Sequence, residues 1–325
     1  MYKKPKILVV GSFVMDLIIS ARRFPSAGES VFGTGFATAP GGKGANQAIQ
    51  ASRLGAKVVM AGKVGSDDFG RALINSAVQS GVDTRYVAVS NNVPSAVGNV
   101  QLEVSPEGTQ NRIIVYPGAN MEITKEDILP LKEEIQSFDM VILQNEIPME
   151  INTLVASFAK EAGVKVMLNP APTAKLPVEL LSCLTYITPN EHEAEDLTGI
   201  PADSEKNIEK QLYAIKNTGV KNAIITLGKR GAAFLGDGGI CYSPSVDWGK
   251  TVDPTAAGDS FIGAFSTAVA AGISVTNALR FANAAAGISV TRMGAQTSLP
   301  ALEEVLSVMK VKGFDIEPFN ILLTK

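Results

Sequence analysis

Lys6-Ile7-Leu8-Val9-Val10, closed by Gly11, carries four consecutive apolar residues with no polar residue alternating between them. A run of this kind is apolar toward both sides of the pleat. It predicts a strand covered on both faces, as in a parallel sheet. Comparable runs recur at Lys57–Val64, Met140–Gln144, Val164–Asn169, Tyr186–Thr188 and Asn222–Leu227. Helical spacing fills the intervals near Ala45–Leu54, Asp68–Ser80, Lys125–Ile135, Ile151–Ala162 and Ile208–Asn217. Strand and helix alternating in this way predict an α/β fold, a mainly parallel, doubly wound, Rossmann-like sheet flanked by helices. Beyond it the chain reads as helical throughout, over Phe261–Ala271, Val275–Thr291 and Ala301–Met309.

Two regions interrupt the rhythm. Residues 12–40 and 95–117 read as short strands with Gly- and Pro-rich turns and no helix between neighbours. Val97–Val104 and Arg112–Tyr116, joined around Ser105-Pro106-Glu107-Gly108, read as a hairpin. The two insertions are expected to pair as a small antiparallel sheet, a lid over the mouth of the main domain, whose outer face offers a dimer contact. Residues 1–11, 41–94 and 118–325 then form the main nucleotide- and substrate-binding domain.

The composition excludes several classes. The 325 residues are 46% hydrophobic and 19% charged, which suits a large buried core. A net charge of −3 provides no broad basic field for nucleic acid. The apolar run behind Lys3, Lys4 and Lys6 is too short for a signal-peptide core or a membrane span, so a cytoplasmic protein with no membrane partner is expected. Two cysteines, Cys183 and Cys241, impose no disulfide framework. The single histidine, His192, builds no zinc motif, and there is no Gly-x-Ser-x-Gly elbow for a hydrolase triad.

The densest chemistry lies in Thr251-Val252-Asp253-Pro254-Thr255-Ala256-Ala257-Gly258-Asp259-Ser260-Phe261. A turn, then small residues, then one carboxylate lead into an apolar helix. The backbone N–H groups of such a helix start attract an anion, and the small residues leave them accessible. A carboxylate among them is placed to take a proton from an alcohol attacking phosphorus. Capping and packing also account for an Asp at a helix start.

Other segments converge on the same chemistry. Gly41-Gly42-Lys43-Gly44-Ala45-Asn46-Gln47 combines close backbone approach with polar donors at the head of a helix. Asp16 and Glu146 each follow a strand, where open α/β sheets place ligands and where a carboxylate accepts sugar hydroxyls. Asn190 and Glu193, three residues apart, suit a water-rich Mg²⁺ site or an ordinary capping box. Thr226-Leu227-Gly228-Lys229-Arg230-Gly231 is a glycine-bearing strand–turn able to admit a nucleotide. A Walker P-loop is absent, since Pro244 stands where the first glycine before Gly249-Lys250-Thr251 belongs. A dinucleotide fingerprint is absent too, because Gly11-Ser12-Phe13-Val14-Met15-Asp16 follows the first strand.

Taken in order, these segments resemble the ribokinase branch of the PfkB sugar-kinase family. Asn169-Pro170-Ala171-Pro172, Leu197-Thr198-Gly199 and Thr291-Arg292-Met293-Gly294-Ala295-Gln296 extend the likeness over nearly the whole chain. The resemblance implies ATP-dependent phosphorylation of D-ribose at its 5-hydroxyl, by a dimer joined through the lid. By position it makes Asp259 the base and the amides of Ala256, Ala257 and Gly258 the anion hole. It assigns Asp16, Gly42, Lys43, Asn46 and Glu146 to the sugar, and Asn190, Thr226, Gly228, Gly231, Gly258 and Asn283 to ATP. It further implies Mg²⁺ at Asn190 and Glu193, largely through water, and K⁺ at Asp253, Thr255, Ser289, Arg292, Gly294 and Ser298. Three positions depart from the pattern. Val14 stands where ribokinases can carry a polar Asn, Asn283 where some relatives have His, and Pro254 where Thr is frequent. Val14 opens the alternatives of 2-deoxyribose, another sugar or a nucleoside as acceptor. A non-catalytic sugar- or nucleotide-binding regulator is the alternative from another class.

Overall fold

The computed structural model describes residues 4–105, 108–245 and 248–323. Its main sheet contains β1 (Lys6–Val10), β4 (Lys57–Gly65), β5 (Asp83–Ser90), β8 (Met140–Gln144), β9 (Lys165–Asn169), β10 (Tyr186–Ile187), β11 (Asn222–Thr226), β12 (Ala232–Gly236) and β13 (Gly239–Ser243). The strand order is β13-β12-β11-β10-β9-β8-β1-β4-β5. All pairings are parallel except those of β12, which runs against both its neighbours. The chain leaves β1 toward β4 and β5, then returns to build outward from β8. The crevice at the carboxyl ends of β1 and β8 is therefore the topological switch point.

Both faces of the strands are apolar, and successive residues feed two separate cores. Ile7, Val9, Met60 and Ile142 face one core with helices α1 (Lys43–Arg53), α2 (Asp68–Gln79), α9 (Ala257–Ala270), α10 (Val275–Ser289) and α11 (Leu302–Val311). Leu8, Val10, Ala61 and Leu143 face the other. That side is covered by α3 (Lys125–Ile128), α4 (Leu131–Glu134), α5 (Met149–Glu161), α6 (Val178–Leu181), α7 (Glu191–Thr198) and α8 (Glu205–Lys216). Helices on both sides of a mainly parallel sheet are the doubly wound α/β arrangement the sequence predicts.

A second, smaller sheet contains β2 (Val14–Ala21), β3 (Gly35–Gly41), β6 (Val97–Ser105) and β7 (Gly108–Tyr116), in the order β3-β2-β6-β7. The expectation of an antiparallel sheet requires correction at its centre, where β2 and β6 pair in parallel. Both strands run outward from the main sheet, so they lie side by side in the same direction. Their partners β3 and β7 return antiparallel. Pro106 and Glu107 of the expected hairpin turn lie outside the described residues.

Two further expectations change. The single helix over Lys125–Ile135 is divided into α3 and α4, because Pro130 lacks an N–H and its ring cannot sit in a continuous helix. Helix α9 begins at Ala257 rather than Phe261, which brings Asp259 into its first turn. The edge hairpin β12–β13 did not emerge from the alternation, although Asp237-Gly238 between two apolar runs is a two-residue turn signal. Cys183 and Cys241 are free thiols. Among the described residues no helix is long and apolar enough to cross a membrane.

Candidate active site

The first turn of α9 lies at the carboxyl-end side of the sheet, lining a cleft of about 210 Å³. Lys43, Asn190, Glu193, Thr226, Ala256, Ala257, Gly258 and Asp259 share this lining with Asn169, Thr188, Pro254 and Ile262. The turn is entered through Ala256, at φ 60°, the one non-glycine residue with positive φ among the described residues. A left-handed alanine costs roughly 1–2 kcal/mol, and strain of this kind gathers at functional sites. Here it aims the chain so that Ser260 N–H is the first to close onto Ala256 C=O, at 2.8 Å.

The three amides expected to form an anion hole are not equivalent. Ala257 N–H already donates to Pro254 C=O at 3.2 Å. Those of Ala256 and Gly258 have no acceptor among the described residues. They are the donors left for an anion. Gly258 also keeps the turn open, since a Cβ added there would meet no atom within 4 Å.

Asp259 is 7% exposed and firmly held. Its Oδ2 accepts from Asn46 Nδ2 and its Oδ1 from Gln47 Nε2, each at 2.9 Å. Both donors sit on α1, whose cap Gly42 has φ 92°. A Cβ on Gly42 would come within 2.7 Å of Val14 N, so a glycine is required for α1 to dock against the start of β2. Gln47, Asn169 and Thr188 were not singled out from the sequence as site residues. Gln47 is four residues from Lys43 and shares its helix face, and Asn169 ends β9, so the signals were present.

Asp16 and Glu146 come together at the switch point. Glu146 Oε2 accepts from Ser12 Oγ at 2.5 Å and from Lys43 N–H at 3.0 Å. Asp16 makes no side-chain hydrogen bond among the described residues. It lies between Ala39 of β3 and Gly98 of β6. A Cβ on Gly98 would approach Asp16 Oδ1 to 2.3 Å, so glycine is what admits the carboxylate. Burial, and then the charge of Glu146, pushes Asp16 up to about 6. For Lys43, burial acts first and downward, but Asp259, Glu146 and Glu193 outweigh it and raise its pKa. Lys43 is thus a retained cation held by the charges of Asp259, Glu146 and Glu193.

Asn190 and Glu193 form the capping box of α7. Asn190 Oδ1 accepts from Glu193 N–H at 2.9 Å, and Glu193 Oε2 accepts from Asn190 N–H at 2.8 Å. The box and a metal role are compatible, because both residues still line the cleft and one Glu193 oxygen is left over. Burial raises the Glu193 pKa most; Asp259 and Asp196 add to that, against Asn190 N–H and Lys43. Among the described residues no three His, Cys, Asp or Glu side chains gather as a metal cluster. One carboxylate and one amide are a donor set that suits a Mg²⁺ keeping most of its waters.

Of the expected K⁺ positions, Asp253, Thr255 and Gly294 are joined by hydrogen bonds. Asp253 accepts from Thr255 N–H at 2.9 Å, from Thr255 Oγ1 at 2.6 Å and from Gly294 N–H at 2.8 Å. Burial works against it, but these donors hold its pKa below the ordinary value. Ser289 and Ser298 are buried, with hydroxyls donated to Ala286 and Ala295 carbonyls. Arg292 pairs with Glu304 and leaves only its carbonyl. The remaining donors are all oxygens, as a hard cation requires.

Gly228, Gly231 and Asn283 stand apart from the cleft lining. Asn283 Nδ2 donates to Ser243 C=O at 2.9 Å and Ser243 Oγ at 3.0 Å, tying α10 to the end of β13. Gly231 lets that same turn approach, since a Cβ there would fall 2.1 Å from Ser243 C=O. His192 is exposed and carries no site chemistry.

Ligand groups gathered at the switch point of a doubly wound sheet, with a carboxylate at a helix start, define a small-molecule α/β enzyme site. The model of the pfkB family carbohydrate kinases matches residues 4–302, and the chain belongs to that family. It is 42% identical to the ribokinase of Bacillus subtilis, covering 92% of this chain and 97% of that one. It is 39% identical to the ribokinase of Lactococcus lactis, over 94% and 97% of the two chains. A structure of Arabidopsis thaliana ribokinase complexed with ribose and ATP superposes with a TM-score of 0.88 at 34% identity, covering 95% of this chain and 99% of that one.

Proposed function

We propose that this protein phosphorylates D-ribose at the 5-hydroxyl with ATP, giving ribose 5-phosphate and ADP in the cytoplasm. The observation that carries the reading is a carboxylate, Asp259, held by two amides in the same helix turn that leaves the Ala256 and Gly258 N–H groups without acceptors. The sugar binds against Asp16, Gly42, Lys43, Asn46 and Glu146, which leaves its 5-hydroxyl facing Asp259. The hydroxyl proton passes to Asp259 as the oxygen attacks the γ-phosphorus in line, and ADP departs with the bridging oxygen's electron pair. Charge spreading over the transferring phosphoryl group meets the two open amides and the Lys43 ammonium. ATP lies along Asn190, Thr226, Gly228 and Gly231 toward Asn283.

Asn190 and Glu193 would hold Mg²⁺ through water, and the ion would supply charge neutralisation on the phosphates. K⁺ would sit among Asp253, Thr255, Ser289, Arg292, Gly294 and Ser298 and fix the electrostatics of the adjoining turn. The small sheet over residues 12–40 and 95–117 is a lid, with the rest as the main domain, and closure excludes water from the cleft. The outward face of the lid, bearing Phe36 and Ile114, takes a second copy of the chain to form a homodimer.

One observation favours a second acceptor. Val14 is buried beside the Asp16 carboxylate and offers no hydrogen bond, so 2-deoxy-D-ribose fits that wall at less desolvation cost. ADP release with Mg-ATP and K⁺ across D-ribose, 2-deoxy-D-ribose, D-fructose and adenosine separates the readings. A preference for ribose is expected. A preference for deoxyribose moves the substrate and keeps the mechanism, and silence on all acceptors sinks the kinase reading in favour of a binding protein. Asp259→Asn is expected to bind sugar normally and lose about 10²–10⁴-fold in kcat. Retained turnover removes Asp259 as the base.

A further inference from the structure

Behind Asp259 runs a chain of buried amides that the reaction itself does not use. Gln47 Nε2 spends its two N–H bonds on Asp259 Oδ1 at 2.9 Å and Asn169 Oδ1 at 3.3 Å. Asn169 is fixed in turn, since its Nδ2 donates to Thr188 C=O at 3.2 Å. The other end of the Gln47 amide is held by one residue among those described. Gln144 Nε2 donates to Gln47 Oε1 at 2.8 Å. Turned the other way round, Gln47 would set its carbonyl against two acceptors, one of them the Asp259 carboxylate.

Gln144 is fully buried at the end of β8 and does not line the cleft. Its own Oε1 has no partner among the described residues, and Gly11 is what makes room for it, since a Cβ there would fall 1.9 Å from that oxygen. An apolar side chain of the same length would remove this orphaned acceptor but would leave the buried Gln47 Oε1 without its donor instead. The amide is therefore there for its donor. We propose that Gln144 is a positioning residue: by donating to Gln47 Oε1 it fixes the polarity of the Gln47 amide, which aims the Asp259 carboxylate at the sugar hydroxyl. This rests on Asp259 as the base.

The test compares two near-isosteric changes in the full chain. Gln144→Met removes the donor. Gln144→Glu replaces it with an acceptor and drives Gln47 to turn its carbonyl toward Asp259. With folding checked by Tm, kcat is expected to fall about tenfold in the first and about 10²-fold in the second, the scale of a small misplacement of reacting groups. The KM values for sugar and ATP should stay within about twofold. In an Asp259→Asn background, Gln144→Met should change the residual single-turnover rate less than about twofold, because groups acting as a unit are not additive.

Native kcat in both variants overturns the proposal. So does a fall in kcat that is accompanied by both KM values, or that persists undiminished without the Asp259 carboxylate. Were neither variant to fold, [¹⁵N]Gln labelling of the native and Asp259→Asn proteins decides it. The side-chain amide signals of both Gln47 and Gln144 should move, and a Gln144 signal that stays in place overturns the relay. Turnover by Asp259→Asn would instead overturn the base. Silent Gln144 variants of an enzyme that Asp259→Asn inactivates overturn the relay alone.

Discussion

Asp16 shows how much a single carboxylate takes from its surroundings. Its pKa is raised from 3.8 to about 6, first by burial and then by Glu146. Between those values the folded chain keeps a proton that the unfolded chain has released. Stability therefore falls as pH rises through this window, and the cost is fully present above it. Sugar binding has the opposite sign, since hydroxyl donors favour the ionised form. Sugar affinity measured calorimetrically is expected to rise from pH 5 to 7 and level off above. Asp16→Asn should lose about 10²-fold in affinity, two charged hydrogen bonds' worth, become flat over that range, and melt no lower at pH 7.5. An Asp16→Asn protein with native affinity would remove Asp16 from the sugar site.

At the scale of elements, the start of α9 separates folding from function. Gly258 is the second residue of the helix, and a Cβ there meets no protein atom. Replacing a helical glycine by alanine gains up to about 0.5–1 kcal/mol. Gly258→Ala is accordingly expected to melt at or above the native temperature. Its methyl, beside the open amides, should raise the KM for ATP and lower kcat/KM by about tenfold or more, about 1.4 kcal/mol of binding. Normal kinetics with ATP would show that the phosphates do not approach this turn. Asn190 and Glu193 were legible as a three-residue pair. That the pair closes a capping box follows from the chain entering α7 extended, at Asn190 ψ −178°.

For the whole molecule, the small sheet poses the question. Cross-strand register puts Ile114 opposite Asn99, which faces Leu17, and puts Phe36 opposite Ile19. Phe36 and Ile114, 69% and 71% exposed, are thereby on the face opposite Asp16. These exposed apolar side chains are what the proposed lid-to-lid dimer would cover. On that proposal the native chain sediments as a dimer, and Ile114→Asp is expected to sediment as a monomer with the main-domain melting transition retained. An unchanged sedimentation coefficient sinks the lid-to-lid dimer. Ligand linkage gives a check on the site as a unit. At a hundred times its Kd, D-ribose should add about 2.7 kcal/mol to stability, and at the same concentration the gain should fall to about 0.4 kcal/mol in Asp16→Asn.

The sequence by itself determined the layered core. Runs such as Ile7–Val10 are apolar toward both faces, and only a parallel sheet between helices buries both. It also carried Lys43, Asn46, Asp259 and the capping pair, because a motif keeps its residues within one turn of chain. Tertiary structure alone decided the parallel pairing of β2 with β6, the tie of Asn283 to Ser243, and the run of amides from Gln144 through Gln47 to Asp259. Gln144 and Gln47 are 97 residues apart, and Gln47 and Asp259 are 212 apart. No local periodicity records such a contact, since a hydrogen bond across the core depends on where whole strands and helices dock.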